Sequence, residues 1–120
     1  MNKVASNLAD AQQLGERILF QIDQAMLTAD IAESQMHLRE AMTFGEELEM
    51  LLTESAFEVE EHVVTDEIEH GLAHLREFFR LGVDALSKSS VFLQDEIGKM
   101  KPLVIKALDH ISEAVTTLGY

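Results

Sequence analysis

Apolar side chains recur at helical spacing along almost the whole chain, and this pattern most restricts what it can fold into. The first run is Val4, Leu8, Ala11, Gly15, Ile18, Ile22 and Ala25, in steps of four and three. A second is Ile31, Leu38, Gly45, Leu52 and Val59 at intervals of seven, with Ala41, Leu48 and Ala56 between them. The third is Ile68, Leu72, Leu75, Phe79, Gly82 and Leu86, and the fourth runs from Leu93 through Ile97, Met100, Val104, Leu108, Ile111 and Val115 to Leu118. No segment shows the period-two alternation of a half-buried strand. The expected fold is all-α: one domain over residues 1–120, built as an antiparallel bundle of about four helices.

Boundaries are marked less clearly than the helices themselves. Asp30 with Glu33 fits a capping pair and starts a helix at Ile31. Thr65 or Asp66 can cap the third helix, and Ser87-Lys88-Ser89-Ser90 reads as a loop. Pro102 falls inside the fourth run, where it either kinks the helix or occupies the first turn of a new one. The spacing predicts helices near 3–28, 31–63, 66–86 and 90–118. At the usual rise the second would be ~50 Å long against ~32 Å for the third. A second helix that long either breaks, at Gly45 or near Ser55, or overhangs toward a partner chain.

Charge narrows the function classes. The formal net charge is −13, and no Lys or Arg occurs from Glu40 to Leu75. Counterion release from phosphate needs a basic face, so a nucleic-acid partner is not expected. No membrane association is expected either, because no uncharged stretch approaches the ~20 residues that span a bilayer. The first ten residues lack the apolar run of a signal peptide, so a cytoplasmic location is expected. With no cysteine, disulfides, thiolate metal sites and cysteine nucleophiles are excluded. The acidity suits a basic protein partner, a cationic small molecule or a divalent metal, and it also serves solubility alone.

His37-Leu38-Arg39-Glu40 recurs as His74-Leu75-Arg76-Glu77, each with a glycine eight residues after the histidine (Gly45 and Gly82). His110-Ile111-Ser112-Glu113 and Asn7-Leu8-Ala9-Asp10 echo the pattern, followed by Gly119 and Gly15. Duplicated hairpins would produce this. Amphipathic spacing alone supplies the apolar matches, which leaves only the histidine, acid and glycine as information. Each such histidine lies ~100° from the core-facing residue after it, at the rim of its helix, where the acid three residues on could pair with it.

Helical bundles often build metal sites from inward-facing Glu and His. The four-helix di-iron pattern needs two Glu-x-x-His pairs; only Glu67-x-x-His70 is present, so that pattern is incomplete. Asp66, His70 and His74 are spaced four apart on one helical face, a chelating arrangement for a divalent transition metal such as zinc or nickel. Histidine phosphotransfer is disfavoured because Glu40 and Glu77 stand where a phosphoryl group would be repelled. No phosphate-cradling loop or nucleophile elbow is present, so no catalytic constellation is assigned and no cofactor is expected beyond a possible metal. Gly15, Gly45 and Gly82 sit on core stripes, where glycine costs roughly 1 kcal/mol against alanine. A close helix approach, a break or a Gly-lined internal pocket for a small-molecule ligand would each account for them.

Two functions are expected. The first is a non-enzymatic interaction or scaffolding protein acting as a homo-oligomer, most simply a dimer. The second is a small-ligand or divalent-metal-binding bundle. Self-association is suggested by the overhang of Leu52, Ala56, Phe57, Val59 and Val63, and by apolar residues flanking the stripes: Leu14, Phe20, Leu27, Phe44, Leu51, Phe78, Val83 and Ile105. The acidic stretch 46–69 could also face Lys99, Lys101 and Lys106 of another chain.

Overall fold

A computed structural model describes residues 3–87 and 93–119, and these form helices with no strand among them. α1 (Lys3–Leu27), α2 (Ile31–Glu58) and α3 (His62–Ser87) are followed by α4 (Leu93–Gly98) and α5 (Lys101–Leu118), the two arms of one bent fourth helix. Cross-helix contacts show that the long elements alternate in direction. Ser34 lies against Ala25, Gly45 against Phe78, His110 against Glu67 and Ser112 against Gln12. The result is an all-α up-down-up-down bundle, 46 × 20 × 18 Å, in which α1 packs most extensively on α2 and α3 on α5. No described helix is long and apolar enough to cross a membrane.

The periodic runs become the core with little displacement. Leu8, Ile18 and Ile22 meet Leu38, Leu48 and Leu52, and Ile68, Leu75 and Ile111 close the other half; all are fully or almost fully buried. Asp30 caps α2 as expected, its carboxylate accepting the Ala32 N–H at 2.9 Å. Glu33 does not complete the box. The Thr28 hydroxyl instead accepts the Asp30 N–H and donates to Glu33, so the turn is tied by a residue outside the expected motif.

The second and third helices differ from the expected 31–63 and 66–86. α2 runs unbroken through Gly45 and ends at Glu58, where extended Val59 returns its N–H to the Ser55 carbonyl. α3 starts at His62, so Thr65 and Asp66 are internal to it, and the Thr65 hydroxyl donates to the Glu61 carbonyl. The physical reason lies in the acids. Glu58, Glu60 and Glu61 oppose the negative end of a helix that continues, and suit the positive end of one about to begin. With 28 and 26 residues the two helices are matched, and α2 does not overhang. Leu52 is buried, Ala56 and Val59 are half-buried, and only Phe57 and Val63 of the supposed overhang are exposed. Of the flanking residues, Leu14 and Phe78 are buried and Phe44 and Leu51 half-buried, whereas Phe20, Leu27, Val83 and Ile105 face solvent.

Pro102 lies in the first turn of α5, where its missing N–H leaves no helical bond unmade, and the chain bends over Lys99 and Met100. Met100 is completely buried at the bend. In the expected loop at 87–90, Ser87 is the last residue of α3; positions 88–90, with the expected start of the fourth helix at 90, lie outside the described residues. α1 ends one residue short of the expected 28.

The core-stripe glycines accept side chains from neighbouring helices, leaving no hollow at these three positions. A Cβ on Gly15 would collide with Leu108 Cδ2 and lie 2.8 Å from its Cγ. Gly45 receives Phe78 and Phe79, and Gly82 receives Met42 and Met100. A fourth glycine, Gly71, faces the Ala107 carbonyl of α5, which a Cβ would meet at 3.5 Å, an ordinary contact.

These distances give opposite outcomes for the same substitution. Gly71→Ala should raise unfolding free energy by up to about 1 kcal/mol through helix propensity alone. Gly15→Ala should lower it by about 1 kcal/mol, because overpacking against the branched Leu108 outweighs that gain. Chemical denaturation of the two variants, measured against the parent, checks both signs.

Candidate metal centre

Glu67, His70 and His74 are spaced three and four apart on α3 and so lie along one flank, the flank facing α5. His110 comes to them from α5. The two helices come close at Gly71, where an added Cβ would stand 3.5 Å from the Ala107 carbonyl oxygen and 3.8 Å from the His110 Cβ, so there is room for a methyl group but for little more. The His110 ring then sits between the two imidazoles of α3. Its centroid is 5.2 Å from that of His70, tilted by 46°, and 5.3 Å from that of His74, stacked at 17°.

Glu67 fixes the orientation of His110, its Oε2 lying 2.7 Å from His110 Nδ1, with both side chains less than a third exposed. A carboxylate on Nδ1 favours the proton there and leaves Nε2 with its lone pair, the form in which imidazole ligates metal. One ligand atom each from Glu67, His70 and His110 falls within 4.8 Å of the others. Tetrahedral ligands at 2.0–2.1 Å from a metal stand about 3.3 Å apart. A carboxylate on Nδ1 and a metal on Nε2 occupy opposite sides of the ring, so Glu67 would have to leave His110 Nδ1 to join the set.

The expected trio of Asp66, His70 and His74 is brought together only in part. Asp66 is exposed and outside the cluster, whereas His70 and His74 both flank His110. The carboxylate in the cluster is Glu67, one position along. Pairing of rim histidines with the acid three residues on does not occur for His110 or His37. His110 takes Glu67, and His37 bonds Gln21 at 2.7 Å with Glu33 at 3.9 Å. Glu77 is engaged by Arg80. His110 and Glu67 were missed as a pair because they are 43 positions apart; the one available signal was the single Glu-x-x-His pair in the chain.

Desolvation, then the nearby His110, Lys106 and His70, hold His74 below its ordinary value of 6.5. Neutral imidazole is the metal-binding form, so the surroundings favour the competent state. No protein-family model, curated protein or solved structure matches the chain, so the geometry alone bears on function.

Folding favours neutral His74, so its contribution to stability is fully present above pH 6.5 and is lost as pH falls below that toward the folded value. The thermal midpoint should fall on acidification from neutral pH through this window, and less in His74→Gln. Equal slopes for parent and variant would contradict this.

Proposed function

We propose that this bundle binds a divalent transition metal through Glu67, His70 and His110. What supports the reading is the convergence of these donors from two helices, beside the close approach of α3 and α5 at Gly71. Imidazole-rich sites favour zinc, nickel, copper and cobalt, whereas magnesium and calcium seek sets made of oxygen. His74 stacks on His110 but is not one of the converging donors.

Titration calorimetry with zinc and nickel should give one equivalent per chain with micromolar or tighter affinity. His70→Ala and His110→Ala should each lose most of it, since a lone surface imidazole is a weak ligand. Asp66→Asn should bind as the parent does. Retention of full affinity in His110→Ala, with loss in His74→Ala, would place the ion on the helical His70–His74 pair instead and overturn this assignment.

A second reading, self-association as a two-fold dimer, is favoured by Phe20 and Leu27. These are 58% and 78% exposed, and they stand two turns apart on the outer side of α1. α1 carries two cations and three acids, so like faces can meet there without large repulsion. The matched lengths of α2 and α3 remove the overhang as a motive, and Lys99 and Lys101 are engaged within the chain by Glu96 and Asp23. Light scattering coupled to gel filtration should report twice 13.4 kDa. A mass of one chain across a tenfold dilution would overturn the dimer.

A further inference from the structure

The flank of α3 away from the imidazoles meets α2 along an open cleft of about 480 Å³. Its lining grades from buried Leu72 through half-buried Ala56 to Phe57, which is 87% exposed and the most exposed large apolar residue described. Met50, two turns before Phe57 on α2, is 71% exposed. Thr53 and Thr65 add hydroxyls, and Glu69 and Arg76 are the charged residues of the lining. Single exposed apolar residues are ordinary, but an aromatic ring standing over a cleft with an apolar floor and a polar rim is the arrangement that receives a partner's side chains.

We propose that this cleft docks a basic amphipathic helix from another protein. Charge selects the occupant. Glu46 on α2, Glu60 and Glu61 in the turn, and Asp66 and Glu69 on α3 are all exposed, and no Lys or Arg interrupts the sequence from Glu40 to Leu75. Arg76, at one end of the cleft, is the single cation of its lining. A second copy laid on this face would bring like charge against like charge, in a chain of net charge −13. Lys3, Lys99 and Lys101 are each engaged by carboxylates of their own chain. Phosphate backbones are repelled for the same reason.

Shape selects a helix. The cleft follows α3 from Thr65 to Arg76, about 16 Å at the usual rise, or three turns. An incoming helix with apolar residues at i, i+3 or i+4, and i+7 covers that length. Its apolar side packs on Leu72, Ala56 and Phe57, and flanking Lys or Arg reach the acids on either side. The proposal is independent of the metal centre, which lies on the opposite flank of α3.

The test uses the full chain and a labelled synthetic helix with leucines at i, i+3, i+4 and i+7 and lysines elsewhere. A glutamate counterpart carries the same leucines, and a scrambled lysine peptide has no apolar side. Fluorescence anisotropy should show micromolar binding of the lysine helix alone, weakening as salt rises. Phe57→Ser should bind about tenfold more weakly, and so should a Glu60→Gln/Glu61→Gln double variant. Phe20→Ser, on the other side of the bundle, should bind normally. Three results would overturn the proposal: no binding of the lysine helix, undiminished binding by Phe57→Ser, or light scattering showing a dimer that Phe57→Ser dissolves. The last would assign the face to a second copy of the chain.

Discussion

How near two helices can come is the constraint on which the rest of this bundle depends, and here it is set where side chains are missing. Gly15, Gly45 and Gly82 each receive a branched, aromatic or thioether side chain from across the core. Gly71 does something different: it lets a backbone carbonyl of α5 come close, with space for no more than a methyl group. A larger residue at 71 would push α5 outward and carry His110 away from His70 and His74. The histidine cluster is therefore a consequence of backbone spacing before it is a matter of imidazole chemistry, and the helix pair that packs most tightly on that side of the core is the pair that holds it.

Most of the fold was legible because period 3.6 survives translation into structure almost residue for residue. Val4, Leu8, Ala11, Ile18, Ile22 and Ala25 were read as a stripe and are all buried. The boundary between α2 and α3 was not legible from apolar spacing, since Val59, Val63 and Val64 continue a plausible pattern through the break. The signal was electrostatic. Three glutamates within 58–61 are badly placed at the end of one helix and well placed at the start of the next.

The site was half legible for a related reason. His70 and His74 share a helical face, which spacing reveals. Asp66 was joined to them by its interval of four, yet it is exposed and Glu67 is the acid that turns inward. His110 belongs to the cluster only through tertiary packing, and local spacing carries no trace of which helix will be its neighbour. Of the histidines in the repeated His-x-x-Glu pattern, His74 and His110 lie in the cluster and His37 does not. Glu77 is held by Arg80, and the carboxylate that His110 meets comes from the other helix.

The bend at Lys99–Met100 separates the molecule into regions of unequal cooperativity. α4 has six residues, far too few to be helical alone, so it is ordered only by burying Leu93, Ile97 and Met100 and by the bond from the Gln94 amide to the Thr28 carbonyl. Its stability is therefore borrowed from the core residues it covers beside the α1–α2 turn. The imidazoles are held by α3 and α5, and their ring and hydrogen-bond contacts among the described residues are not with α4. Amide exchange should accordingly be faster in α4 than in the histidine-bearing parts of α3 and α5, within a single chain that shares one continuous core.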